Sequence, residues 1–460
     1  MRPLKLKEII KATNGRLVQG NKDSIVSNIS IDTRTIKPND LFMAIKGKYL
    51  DGHSFIREAL QKGASTIIVE DIRFEYETWK TVNIVQVVNT TKALEDIAQY
   101  YRKQFKPIVI AVTGSNGKTT TKEMIAHILK EKYKVISAPA SYNNNIGVPL
   151  TILNLTDDVE MLILEMEMNE LGGTKRLCEI AQPDIGVITN IGDTHLEFLF
   201  SRDNVAREKS ELLEFVSKQG TAILNADDAK VMEIWTWFNV KKCLTFGIKQ
   251  SADVYAKNII NHGEHGTEFV VNNEYPCRLN VPGIFNVYNA LAAISVAKVL
   301  NCNLKDITES LAAFKLPSMR MEKIKINELI VYNDAFNANP QSVLEAVNTF
   351  VKFQTKGKRI VILGDMLELG QKSAELHRYV GKHLPANIDI LITVGEQAKQ
   401  IADGAREAKI SIKKIIVCDN TESAFKKLID ICGENDTILI KGSRLMKLEE
   451  IVNKLSKHYH

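Results

Sequence analysis

The chain reads as an α/β protein of three domains. Short β-branched runs alternate with amphipathic helical stretches through most of its length, and two proline-bearing polar joints divide it. At 460 residues it is about three times a common domain, too long for one hydrophobic core.

Taken in order, Ala64 to Val69, Ile108 to Val112, Met161 to Leu164, Ile185 to Thr189 and Thr221 to Leu224 are apolar runs of strand length. Arg359 to Leu363, Ile388 to Val394 and Thr437 to Ile440 follow, each leading through turn residues into a helix-like stretch. That rhythm predicts parallel sheets covered by helices. The first joint, Tyr101 to Pro107, is polar and basic and ends a helical pattern before a strongly apolar strand. The second, Leu316 to Met321, follows an amphipathic helix and precedes a new run of strands. The pieces 1–105, 106–316 and 317–460 are each of domain size.

Composition narrows the function classes. Apolar residues make up 45% and charged residues 25%, which argues against disorder and fibrous architecture. Sixty Lys and Arg against 55 Asp and Glu leave a net charge of +5, too slight for a nucleic-acid binder driven by phosphate neutralisation. Six cysteines lie far apart with no C-x-x-C pair, so free thiols in a reducing cytosol are expected. The N-terminus lacks the apolar core of a signal peptide, and nowhere do about 18 apolar residues run together. A cytoplasmic, soluble protein without a membrane span is the expectation.

The most specific segment is Pro107 to Lys134, PIVIAVTGSNGKTTTKEMIAHILKEKYK. An apolar strand meets a glycine-bearing turn, and a helix follows with Met124, Ile125, Ile128 and Leu129 on one face. Such a turn aims successive backbone N–H groups and a helix N-terminus at one spot, which suits a polyphosphate. Gly114 and Gly117 permit close approach, Asn116 and Thr120 belong to the same cradle, Lys118 supplies a cation, and Thr119 offers a hydroxyl to Mg²⁺. The pattern departs from the eight-residue Walker loop, because Val112 stands where that loop has its first glycine.

TGSNGKTTT resembles the shortened phosphate loop of the Mur ligases, the ATP-dependent amide-forming enzymes that extend the stem peptide of cell-wall precursors, and of their folylpolyglutamate synthetase relatives. The resemblance implies ATP and Mg²⁺ as cofactors, with Lys118, His195 and Lys209 as catalytic residues. A metal–ATP site needs oxygen ligands, and both Glu165 and Glu167 lie at a strand end where spacing does not choose between them; the resemblance favours Glu165. It implies His195, in ITNIGDTHLE, as a second-metal ligand. It aligns Lys209 with a lysine that several members carry as a carbamate, a solvated helix lysine being the alternative. Asn286 and Asn289, at i and i+3 on one helix face, can hydrogen-bond a base edge. Their segment resembles the family's adenine site, although Phe285 replaces a common histidine and Asn286 alternatively caps the helix. By the same resemblance Arg320 and Asp334 reach the phosphates and ribose.

Three further stretches look most like the branch that adds D-alanyl-D-alanine to UDP-N-acetylmuramoyl-tripeptide: Ser141 to Thr151, the NDAFNANP segment, and LGDMLELG with KGSR. The Asp-Asn-Pro-Arg tetrapeptide of the diamino-acid-adding branch is absent. Ser30 to Phe55 resembles the family's UDP-sugar-binding domain. The resemblance thus implies an N-terminal UDP-sugar-binding domain, a central P-loop ATPase-like sheet and a C-terminal Rossmann-like domain, in a monomer. Candidate substrate residues are Thr33, Arg34 and Lys46, with a charged surface loop as the alternative; Asn143, Asn144 and Asn145, with a turn as the alternative; Asn337 and Asn339; and Lys441, Ser443 and Arg444 as a seat for the dipeptide carboxylate. An ATP-hydrolysing regulator remains the rival from another class. A dinucleotide-dependent oxidoreductase is disfavoured, since no G-x-G-x-x-G follows a strand.

Overall fold

The computed structural model describes residues 1–47, 50–71, 81–140 and 142–459. Lys48 and Tyr49, inside the Ser30 to Phe55 segment, and Ser141, at the head of the Ser141 to Thr151 segment, lie outside the described residues. Two compact units emerge. The first comprises residues 1–111, 130–168 and 172–186, and the second 112–129, 169–171 and 187–460.

In the first unit a five-stranded sheet has the order Arg16–Gln19, Asn83–Gln86, Thr66–Val69, Leu41–Met43, Ile29–Ser30, antiparallel in its first pairing and parallel thereafter. Phe42, Ile67 and Ile84 turn one face onto Ile56 and Ala59 of a short helix. Asn89 starts the helix Thr90–Arg102 by accepting the Lys92 N–H at 2.7 Å, so the chain turns helical where polar residues give way to Ala93, Leu94, Ile97 and Ala98. Farther along, Met161–Glu165 lies parallel to Val135–Ser137.

In the second unit Thr221–Asn225, Cys243–Gly247 and Val254–Asn261 pair in parallel. From Val254–Asn261 the chain continues as an antiparallel meander through Thr267–Val271 and Tyr275–Leu279. This meander escapes the sequence reading, because strands buried on one face show alternation and not the continuous apolar run sought there.

A six-stranded sheet closes the chain, ordered Glu322–Ile326, Leu329–Asp334, Thr437–Lys441, Arg359–Gly364, Ile390–Val394, Lys414–Cys418, with only the first pairing antiparallel. Both faces are covered. Val361, Leu363 and Leu439 pack on Val343, Val347 and Phe350 of the helix Pro340–Phe350. Ile360, Ile362, Ile438 and Ile440 pack on Leu428, Ile451 and Leu455 from the helices Thr421–Ile429 and Glu449–Tyr459. Each of the eight sequence-predicted strands is present, two of them starting two residues later than expected, at Thr66 and Ile390. The six cysteines are free thiols, and among the described residues no helix is long and apolar enough to cross a membrane.

Candidate active site

The strand Ile108–Thr113 hands the chain to Gly114, and the helix Lys118–Leu129 takes it up after Gly117. Both glycines hold left-handed backbones, φ 140° and 82°; a Cβ on Gly114 would strike Thr189 Oγ1, and one on Gly117 would strike Asn289 Oδ1. The turn is pinned from outside. The Asn116 N–H donates to Asn190 Oδ1 at 2.8 Å, and the Asn116 carbonyl accepts from Thr189 Oγ1 at 2.6 Å and Asn190 Nδ2 at 3.0 Å. Ser115 Oγ accepts the Gly192 N–H at 2.7 Å. Lys118 is buried, its Nζ donating to the Gly114 carbonyl at 2.8 Å. Asn116 Nδ2 is buried without a hydrogen-bond partner, a donor available to an anionic oxygen.

Beside this loop opens a cavity of about 290 Å³, bounded by Asn116, Gly117 and Thr120 on one side and by Phe246, Asn286, Tyr288 and Asn289 on another. The helix Phe285–Val299 brings its two asparagines together: Asn289 Nδ2 donates to Asn286 Oδ1 at 3.0 Å, and Thr121 Oγ1 donates to Asn289 Oδ1 at 3.3 Å. Asn286 does not cap this helix. It stands inside the first turn and its Nδ2 donates back to the Pro282 carbonyl at 2.7 Å, which corrects the capping alternative.

The C-terminal sheet supplies the remaining wall. Arg320 lies over the Phe336 ring at 4.4 Å and its Nη2 donates to Thr119 Oγ1 at 3.4 Å. Its neighbours Met319 and Met321 both have left-handed backbones, φ 59° and 51°, and each N–H is held by a carboxylate, Glu322 at 2.9 Å and Asp334 at 3.1 Å. Asn339 begins the helix Pro340–Phe350 by accepting the Ser342 N–H, while its Nδ2 donates to Asn116 Oδ1 at 2.7 Å. Asp334 Oδ2 accepts Lys441 Nζ at 2.7 Å. Lys441 therefore stands on the cavity wall with Asp334, whereas Ser443 Oγ accepts the Leu367 N–H and Arg444 pairs with Glu449 at the surface. The three residues sought as one carboxylate seat point to three different partners.

The metal candidates divide between the units. In the first, Glu165 ends its strand buried; Oε1 accepts Asn143 Nδ2 at 2.8 Å, and Oε2 has no hydrogen-bond partner. A buried carboxylate oxygen left unpaired is costly, and a cation is the partner that suits it. Glu167 Oε2 shares the same Asn143 amide at 3.1 Å. In the second, His195 has a left-handed backbone and its Nδ1 lies 2.6 Å from Glu368 Oε2, the arrangement by which a carboxylate fixes the ring of a metal-ligating histidine. Lys209 is fully buried beside Glu208, 2.9 Å away, so the solvated-lysine alternative is wrong: the helix Arg202–Val216 turns this residue inward.

The substrate candidates of the first unit are engaged locally. Thr33 Oγ1 donates to Glu58 at 3.0 Å, exposed Arg34 pairs with Asp32, and exposed Lys46 bridges Asp51 through the backbone. Asn144 Oδ1 accepts the Ile146 and Gly147 N–H groups, as a turn residue does, and Asn145 is half-buried beside it. In the second unit Asn337 Oδ1 accepts the Ala338 N–H.

Sequence reasoning missed several residues of the cavity. Asp227 accepts the Ile248, Lys249 and Gln250 N–H groups and the Tyr288 hydroxyl. Burial raises its carboxyl, but these donors outweigh burial and hold it below the usual carboxylate range. Glu345 and Asn225 also face the cavity. Only the Asn-Ala-Asp-Asp turn after an apolar strand marks Asp227 in the sequence.

A loop of this make takes the phosphate end of a ligand, which puts the protein among the P-loop nucleotide-using α/β enzymes. The chain belongs to the Mur ligase family. The Mur ligase middle domain matches residues 112–297, the Mur ligase glutamate ligase domain 319–444, and the Mur ligase family catalytic domain 25–102. It is 34% identical to the UDP-N-acetylmuramoyl-tripeptide--D-alanyl-D-alanine ligase of Bacillus subtilis (strain 168), over 98% of both chains. With the enzyme of that name from Escherichia coli (strain K12) it shares 30% identity, again over 98% of both. Among solved structures, MurF from Acinetobacter baumannii superposes with a TM-score of 0.88 at 28% identity, covering 99% of both chains. MurF ligase from Thermotoga maritima in complex with ADP gives 0.80 at 28% identity, covering 94% of this chain and 97% of that one.

Proposed function

We propose that this protein joins D-alanyl-D-alanine to UDP-N-acetylmuramoyl-tripeptide at the expense of ATP, giving the UDP-muramoyl-pentapeptide used for peptidoglycan. The observation that carries this is end-to-end likeness to D-alanyl-D-alanine ligases, covering 98% of both chains, in a protein whose phosphate loop is intact. A carboxylate does not condense with an amine unaided, because the oxygen it must lose is a poor leaving group. The tripeptide's terminal carboxylate attacks the γ-phosphorus of ATP; a P–O bond forms, the bond to the β-phosphate oxygen breaks, and ADP leaves. The free amine of D-alanyl-D-alanine then attacks the acyl carbon, loses a proton, and phosphate departs.

Two anions meet in the first step. Lys118 Nζ, buried at the loop, and Arg320, reaching Thr119 from the C-terminal sheet, offset their repulsion. The Asn116 side chain and the helix N-terminus orient the phosphates. The residues that would hold Mg²⁺ are Thr119 and His195 in the second unit and, in the first, Glu165, whose unpaired Oε2 fits that role. Bound there, the ion would supply charge neutralisation to the transferring phosphoryl group. Lys209, buried beside Glu208, is the position that several family members carry as a carbamate. A cytoplasmic monomer goes with this reading.

The test is turnover of purified protein with ATP, UDP-N-acetylmuramoyl-tripeptide and, separately, D-alanyl-D-alanine, a diamino acid or glutamate, followed by phosphate release. Release only with D-alanyl-D-alanine is expected, and is lost in Lys118→Ala. Release that ignores the UDP-linked acceptor would make the protein an ATP-hydrolysing regulator instead.

A further inference from the structure

Four carboxylates line the cavity: Asp227, Asp228, Asp334 and Glu345. Three have a protein donor on each of their two oxygens. Asp227 accepts three backbone N–H groups and the Tyr288 hydroxyl across its two oxygens. Asp228 Oδ1 takes the Lys230 and Val231 N–H groups and Oδ2 takes the Ile191 N–H. Asp334 gives Oδ1 to the Met321 N–H and Oδ2 to Lys441. Glu345 differs. Its Oε1 accepts Gln341 Nε2 at 2.9 Å, and among the described residues no donor meets its Oε2.

The position of Glu345 says which part of a nucleotide it faces. Its helix, Pro340–Phe350, starts at Asn339, whose amide touches the phosphate loop at Asn116. Six residues at about 1.5 Å each carry Glu345 about 9 Å along the helix from that contact, to the part of the cavity wall it shares with Tyr288 and Lys441. Lys441, which pairs with Asp334, is close enough to act on the Glu345 charge, as Glu345 acts on Tyr288. Burial pushes the Glu345 carboxyl above its usual range, against the pull of Gln341 and Lys441, as suits a group waiting for a donor. A carboxylate accepts and does not donate, and the donors next to the phosphates of ATP are the two ribose hydroxyls.

We infer that Glu345 is a further ribose-recognition residue of this protein, its Oε2 accepting from a sugar hydroxyl of ATP alongside Asp334. The inference rests on the ATP-binding reading above. Calorimetric titration of the full chain with ATP, 2′,3′-dideoxy-ATP and inosine triphosphate tests it, on wild type, Glu345→Ala and Glu345→Gln, with melting temperatures as a check on folding. Wild type should bind dideoxy-ATP about tenfold more weakly than ATP. Glu345→Ala should weaken ATP by about the same factor while changing dideoxy-ATP by less than about twofold. Glu345→Gln, which keeps a neutral acceptor, should fall between. Equal losses for ATP and dideoxy-ATP, or an unchanged ATP affinity, overturn the inference. So does a loss for ATP that inosine triphosphate escapes, which would assign Glu345 to the base amino group. Wild type that binds no ATP at all defeats the nucleotide reading itself and not this residue's part in it.

Discussion

Lys441 stands opposite Asp334 in the parallel register of Thr437–Lys441 with Leu329–Asp334, and its Nζ donates to Asp334 Oδ2 at 2.7 Å with both side chains almost wholly buried. A buried pair of this kind is costly to break from one side, because the remaining charge is stranded. Lys441→Ala should lower unfolding stability by about 3 kcal/mol, read as a shift in urea midpoint at constant slope. Adding Asp334→Asn should recover much of that loss; an additive second loss would mean that the pair is not coupled.

Asn339 serves two partners with two atoms, and the substitutions can be chosen to separate them. Asp in its place keeps the oxygen that accepts the Ser342 N–H but removes the donor to Asn116. Asn339→Asp is therefore expected to keep the helix cap and the melting temperature while raising KM for ATP. Asn339→Ala should lose about 1 kcal/mol of stability as well. Equal melting losses in both variants would refute the division of labour.

Gly117 has no room for a side chain, since its φ is 82° and a Cβ would meet Asn289 Oδ1. Gly117→Ala should cut ATP affinity by about tenfold or more through a displaced loop, with the far-ultraviolet dichroism unchanged. Affinity close to wild type would show that the turn tolerates the change.

Asp227 predicts an acid limb in the stability profile. Its folded-state carboxyl lies below the usual range, so it contributes stability that is complete above the unfolded value of about 4 and is lost as pH falls through the lower folded value. Asp227→Asn should flatten that part of the curve of unfolding free energy against pH. A variant that keeps the full acid slope would place the titration elsewhere.

Glu165 predicts a metal dependence. Oε2 is buried and unpaired, so Glu165→Gln should raise the Mg²⁺ concentration needed for half-maximal nucleotide binding by about tenfold, with little change in binding at saturating Mg²⁺. Identical Mg²⁺ curves for the two proteins would remove Glu165 from the site.

Much of this molecule is legible in one dimension. Arg359–Gly364 and Thr437–Lys441 announce themselves because both of their faces are buried, leaving an unbroken apolar run. The loop from Gly114 to Thr119 is equally plain, because its glycines, lysine and threonines act within a few residues of one another. Asn286 and Asn289 are readable for the same reason: one helical turn brings them together. The meander from Val254 to Leu279 is not, since strands with one wet face resemble amphipathic coil.

Local chemistry therefore determined the α/β class, the phosphate loop and the asparagine pair. Tertiary structure alone decided that Lys441 serves Asp334 across 107 residues of chain, that Lys209 points inward, and that Asp227 and Glu345 face the cavity. The reason is physical. Backbone turns and helix faces are set by neighbours three or four residues away, whereas strand register and burial are set by whichever distant segment packs alongside, and no local pattern records that partner.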